Sequence, residues 1–549
     1  MRSDTLCRLL AVLSFLATPA AAQVPDSVVA LLHARIEAIR APGGATVQGA
    51  SLLSLDALPS FYAGRGYRPA WSDPARLACL IEAIHASVED GLTPADYLLA
   101  PLEHLVPAAA APRAPATLRA DLDLLATEAL IRLASSLRYG KVRPESLDSG
   151  WNISPATSSE QAAPTLESLV ASDSLSAALA ALAPRSPLYL RLRQELARYR
   201  AVDSAGGWPT IAPGPDLAVG MEDPRVPSLR LRLAATGDLP PVAAPVPGDR
   251  YDRNLATGLA HFQARNGLAP DGVLGPRSIG ELNVPPIARI RMLRVNLERA
   301  RWVLPGLGPT FVAVNIPAFE AYYVRNDSLA WSGKAVVGQP YLETPQFRAR
   351  MTSVVLNPTW TVPAQILTDE VLPAIRRNVA YLARNDMVVR DRDGEAVDPA
   401  TIDWDRYDDG RTFPYRIVQE PGGKNPLGRV KFVFPNAWAV YLHDTSEPGL
   451  FRRSRRSFSH GCIRIQHPMV LASMLLGDST WTAAVLDSVA ALGRETTVPL
   501  PEPVSVLVLY WTAWADQEGA VHFRPDLYGR DGPLLQALDA PYASHPRSP

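Results

Sequence analysis

The chain has 549 residues, 47% of them hydrophobic and 20% charged, with a formal net charge of −1. That length exceeds what one hydrophobic core can organise and calls for about two to four domains. The near-zero charge excludes a chain built to hold nucleic acid, and the apolar share excludes extended disorder.

Residues 1–22 read as a signal peptide. Arg2 and Arg8 give a charged start, LLAVLSFLA (9–17) an apolar run, and Pro19 with Ala20, Ala21 and Ala22 a cleavage site before Gln23. The run is too short to cross a bilayer. The mature chain is therefore expected outside the cytoplasm, with no membrane span. Of the three cysteines, Cys7 falls in this segment. Cys79 lies beside the helical stripe Leu77, Leu80, Ile81, Ile84 and Val88 and reads as a small packed side chain. Cys462 is left as a lone thiol in an oxidising compartment, which invites a catalytic reading.

Residues 23–215 read as a helical domain. LRADLDLLATEALIRLASSLRYG (118–140) is its clearest helix, stopped by Gly140, and FYAGRGYRPAWSD (61–73) is an aromatic, loop-rich entry. Residues 220–285 form a smaller unit. One helix carries Leu229 and Leu233, a second carries Leu255, Leu259 and Phe262, and a third opens at Pro276 after turns at Gly267, Asp271-Gly272 and Gly275. The FQARNGLAPDGVLGPRSIGELN stretch (262–283) resembles the three-helix peptidoglycan-binding domain. Residues 286–305 read as an amphipathic linking helix with Ile290, Leu293 and Leu297 on its apolar face.

From residue 309 to 495 the pattern changes to short strands, among them FVAVNIP (311–317), MTSVVLNPTW (351–360), VKFVF (430–434) and WAVYLHDT (438–445). Residues 366–425 read as a helical and loop-like insertion, placed as a lid. Residues 496–549 are expected to complete this β-rich domain.

Chemistry concentrates around Ser459-His460-Gly461-Cys462-Ile463-Arg464. A cysteine nucleophile acts as its thiolate, so it needs a base or a cation nearby. In an extended segment residues two apart share a face, which would set His460 and Arg464 beside Cys462. His443, at the end of another strand, is the candidate base. Zinc ligation by His443, His460, Cys462 and His467 is disfavoured, because His-x-Cys is not a usual spacing and no second cysteine lies near. No metal and no cofactor are expected.

His443, fifteen intervening residues and then Ser459-His460-Gly461-Cys462 resemble the signature of the L,D-transpeptidases. NPTWTVP (357–363), PGGKNPLGRVKF (421–432), the arginine-rich run at 452–456 and the YWTAW and HFRPDLYGRD stretches are similar to its large, multidomain Gram-negative branch. The resemblance implies a multidomain α+β chain: a helical scaffold domain, a three-helix peptidoglycan-binding domain, and a β-rich catalytic domain with a mixed α/loop lid. It implies Cys462 as nucleophile and His443 as general acid/base, the latter oriented by a backbone carbonyl and not by the Asp444 carboxylate. His460 would support the site, the amides around Gly461 and Cys462 would form the oxyanion hole, and Arg464 would bind a substrate carboxylate. Trp360 and Tyr441 are candidate cleft residues.

The implied partners are peptidoglycan, as tetrapeptide donor and stem-peptide acceptor, and other wall synthases, in the periplasm. The implied product is a 3→3 cross-link between meso-diaminopimelate residues. Water or a protein lysine as acceptor stays open, giving a carboxypeptidase or endopeptidase, or a lipoprotein-anchoring enzyme.

Overall fold

The computed structural model describes residues 26–39, 45–153, 162–239, 248–477 and 480–542. The expected signal segment lies outside them. The chain divides into two compact units, residues 1–306 with 512–549, and residues 307–511.

The first unit is mostly helical. Its central helix α1 (Ala116–Tyr139) is buried nearly all round, including the side chains of Asp123, Thr127, Glu128 and Arg132. Such burial requires partners. Asp123 accepts hydrogen bonds from the backbone N–H groups of Ala70 (3.0 Å) and Trp71 (2.9 Å), which fastens the aromatic entry stretch to the helix. Glu128 accepts from Leu53 N–H (3.0 Å) and pairs with Arg132 (2.6 Å). Cys79 packs, half-buried, against this core.

Helices at Val226–Ala235, Arg253–Arg265 and Pro276–Leu282 share a separate core of Leu229, Leu233, Leu255, Leu259, Phe262 and Leu282. This is the three-helix arrangement expected from the turn signals. Helix α2 (Pro286–Val303), expected to be amphipathic, also buries its polar side. Asn296, Glu298, Arg299 and Arg301 are all under 5% exposed. Each is satisfied inside the unit, as by the Arg299–Asp531 ion pair (2.6 Å).

That pair exposes a second difference. The tail from Thr512 packs into the first unit, although it was expected to complete the β-rich domain. Thr512 Oγ1 accepts from Asn296 Nδ2 (2.7 Å), Phe523 stacks edge-on against Tyr199 (5.8 Å), and Lys141 Nζ donates to the carbonyls of Leu538 (2.8 Å) and Ala540 (2.6 Å). Ala513, Val521 and Phe523 of the tail join the first unit's hydrophobic core, and these polar partners fix them there.

The second unit is built on nine strands. In chain order they are β1 (Phe311–Asn315), β2 (Glu320–Arg325), β3 (Ser328–Gly338), β4 (Phe347–Leu356), then, after the insertion, β9 (Val430–Val433), β10 (Leu442–His443), β11 (Ser457–Ser459), β12 (Ile463–Ile465) and β13 (Thr496–Leu509). The sheet order is β11-β3-β12-β10-β9-β4-β13-β1-β2, and a further β2–β3 pairing closes eight of the strands into a ring.

The insertion carries β5 (Trp360–Thr361), β6 (Met387–Arg390), β7 (Ala396–Val397) and β8 (Arg416–Gln419), ordered β5-β8-β6-β7. It also has its own core of Leu367, Leu372, Ile375, Val389, Trp404 and Phe413. The expected helix-and-loop lid is thus a small α+β body. Its strands are two to four residues long, too short for period-two alternation to register.

Lys141 is 7% exposed and pairs with Asp96 at 2.7 Å. Lys141→Met would strand a buried carboxylate, so the first unit should lose about 3 kcal/mol. Chemical denaturation checks this; an unchanged midpoint would count against the pair's role.

Candidate active site

The site follows from one pairing. Strands β10 and β12 run parallel, with Leu442 opposite Ile463 and His443 opposite Arg464. Parallel neighbours need a crossover connection, here residues 444–462. The crossover carries a short 3₁₀ turn (Pro448–Arg452) and β11. Leu442, Ile463 and Ile465 are fully buried in the core. Alternation turns Tyr441, His443, Cys462 and Arg464 to the opposite face. On the far side of β10, Lys431 of β9 lies opposite His443.

His443 is 3% exposed. Its Nδ1–H donates to the Asp444 carbonyl at 2.6 Å, which leaves Nε2 as the acceptor nitrogen. The Asp444 carboxylate is engaged elsewhere, accepting from Arg429 N–H at 2.9 Å. Burial first, then the positive charges of Arg464 and Lys431, push the imidazole pKa down to about 3. The ring is therefore neutral at neutral pH. Burial raises the Cys462 thiol above its usual value, opposed by the Tyr441 backbone and by the charges of Lys431 and Arg464. Cys462 is free, and its thiol points at the Ala439 carbonyl, 3.9 Å away.

Gly461 has φ +106°, a conformation that a side chain strains. It breaks the extended path between His460 and Cys462, so the expected common face of His460, Cys462 and Arg464 does not form. His460 turns outward instead, its Nε2 lying 3.3 Å from Glu370 of the insertion. The Gly461 N–H, expected in an oxyanion hole, donates to Ser459 Oγ (3.2 Å), and Ser459 Oγ donates to the Cys462 carbonyl (2.5 Å). The fully buried Thr344 braces the same turn, donating to the Gly461 carbonyl at 2.8 Å.

Arg464 pairs with Glu447 at 2.8 Å, and its Nε is buried without a hydrogen-bond partner among the described residues. Tyr441 is half-buried, with the Lys431 ammonium 3.8 Å from its ring centroid. Trp360 pairs with Gln419 at the margin of the insertion's core. Among the described residues, no three His, Cys, Asp or Glu side chains gather as a metal site. Sequence reasoning missed Lys431, Glu447, Glu370 and Thr344. Lys431 lay within the quoted GRVKF stretch, but nothing in its spacing marks it.

Residues 309–497 match the family described as "L,D-transpeptidase catalytic domain". The match covers most of the second unit. Residues 56–196 match "Scaffold domain", and residues 222–281 match "Putative peptidoglycan binding domain". A Haemophilus influenzae protein described as "Putative L,D-transpeptidase" is 35% identical over 239 residues, covering 44% of this chain and 48% of the relative. The chain thus spans about half the length of that curated relative.

The folded-state pKa of His443 lies near 3 and its ordinary value is 6.5, so the unfolded chain binds the extra proton between them. Stability is then fully present above about pH 6.5 and falls as the pH drops through this window. His443→Gln should flatten that slope in denaturation measured from pH 7 to pH 4. An equal slope in both proteins would contradict the assignment.

Proposed function

We propose that this chain is a cysteine-dependent L,D-transpeptidase acting on peptidoglycan stem peptides in the periplasm, through a thioester acyl-enzyme. The observation that carries the reading is the pairing of β10 with β12, with a neutral His443 fixed through Nδ1 and a free Cys462 sharing one face.

The chemistry runs in two halves. The Cys462 thiol proton passes to His443 Nε2 as Sγ attacks the carbonyl carbon of the third residue of a donor tetrapeptide. The tetrahedral intermediate collapses, its C–N bond breaks, and the terminal D-alanine amine leaves with the proton from His443. The side-chain amine of an acceptor's diaminopimelate then attacks the thioester and gives its proton to His443; the C–S bond breaks, and His443 returns that proton to the Cys462 sulfur. The product is a 3→3 link.

The Cys462 N–H is the oxyanion donor in this reading, since Ser459 occupies the Gly461 N–H. Arg464 receives the donor carboxylate by exchanging Glu447 for it, the exposed partner being the one that gives way. Tyr441 and Trp360 line the approach. The peptidoglycan-binding region holds the chain on its polymeric substrate, beside the synthases that supply new strands.

Incubation with disaccharide-tetrapeptides should yield a 3→3 dimer by mass spectrometry, and Cys462→Ala should lose at least about a thousandfold in rate. Tripeptide alone would identify a hydrolase, and retained activity in Cys462→Ala would remove the mechanism. A carbapenem should add its mass to the wild type and not to Cys462→Ala. Because His443 stays neutral down to about 3, the kcat/KM profile should lack an acidic limb near its ordinary 6.5. A limb at that pH would refute the neutral base.

A further inference from the structure

We propose that Lys431 is the positioning residue that supplies the counter-charge for the Cys462 thiolate. The inference rests on Cys462 as the nucleophile and assigns the electrostatics of that site.

Burial works against ionising Cys462, so the site needs a cation that is not already neutralised. The charged and titratable groups around it can be taken element by element. On β10, His443 is neutral and serves as acceptor of the proton, and Tyr441 presents its ring to Lys431. On β12, Arg464 favours the thiolate too, but it is tied to the Glu447 carboxylate at 2.8 Å. At the turn, His460 faces Glu370. Glu343, in the stretch whose backbone approaches Gly461, is exposed. Glu495, ahead of β13, is held by the Thr359 N–H (2.5 Å) and hydroxyl (2.8 Å).

Lys431 is the cation of this face with no carboxylate partner among the described residues. It projects from β9 on the face of His443, half-buried, with its ammonium on the Tyr441 ring and no hydrogen bond or ion pair among the described residues. A cation–π contact holds an ammonium in place without cancelling its charge, unlike a carboxylate. Burial lowers the Lys431 pKa, and the charges of Cys462 and Glu495 oppose that shift. The same positive charge also helps keep His443 deprotonated, so one side chain readies both nucleophile and base.

The test is the rate of Cys462 alkylation by iodoacetamide against pH in the full chain, read by peptide mass spectrometry. It needs no wall substrate. Lys431→Met keeps an apolar stem on the Tyr441 ring and removes the charge. Its alkylation limb should move up by about one pH unit, making alkylation about tenfold slower below the limb. Lys431→Arg keeps a charge that does not titrate and should stay within about twofold of wild type. Lys431→Gln serves as a second neutral variant if Lys431→Met does not fold.

An unshifted limb in a folded neutral variant overturns the inference, as does Lys431→Arg reacting as slowly as Lys431→Met. Neither result bears on whether the wild type makes the 3→3 dimer. Failure to make that dimer, with the limb shifted as expected, would instead overturn the transpeptidase reading alone.

Discussion

The parallel pairing of β10 with β12 is the constraint on which the candidate site depends. Its register turns Leu442, Ile463 and Ile465 into the core and leaves His443 and Cys462 on one outer face. A slip of one residue would exchange the two sets, turning leucine and isoleucine out of the core and His443 and Cys462 toward it. The fully buried apolar residues therefore hold His443 and Cys462 in place. The same pairing explains the sequence interval between the two: a parallel neighbour is reached only by a crossover, and residues 444–462 are that crossover.

The turn entering β12 adds a second constraint. Cys462 begins the strand from a positive-φ glycine, and Ser459 and Thr344 tie that turn through its own backbone. Polar side chains close to the cysteine thus act on the chain path and not on the sulfur. His460 shows the same principle, since the turn at Gly461 directs it toward the insertion and away from Cys462. Around the thiol the balance is electrostatic. Burial disfavours both the thiolate and the imidazolium, which keeps the pair neutral at rest and makes an unneutralised cation such as Lys431 valuable.

Much of this was legible in the residues. Helical spacing located α1 and the three small helices, because their apolar stripes face cores formed by neighbours in sequence. The interval from His443 to the Ser-His-Gly-Cys box marked the candidate site, because chemistry restricts the residue types that can stand there. Other features were not legible. Helix α2 seemed amphipathic, yet its polar face meets buried partners from remote segments, such as Asp531 and Thr512. The tail beyond Trp511 was assigned to the wrong unit, because its apolar strands carry no record of which core they enter. The insertion's strands are too short to announce a period.

The sequence by itself determined the helical units and the switch to short strands after residue 309, and it singled out the cysteine and histidine proposed here as nucleophile and base. Each is written in local spacing or in residue type, and neither requires knowledge of distant neighbours. Tertiary structure alone decided that His460 faces Glu370, that Arg464 is held by Glu447, that Gly461 gives its N–H to Ser459, and that Lys431 stands opposite His443 with its ammonium on the Tyr441 ring. These depend on strand register and on a glycine's backbone angle, and register comes from a cooperative burial of apolar residues that no short stretch encodes.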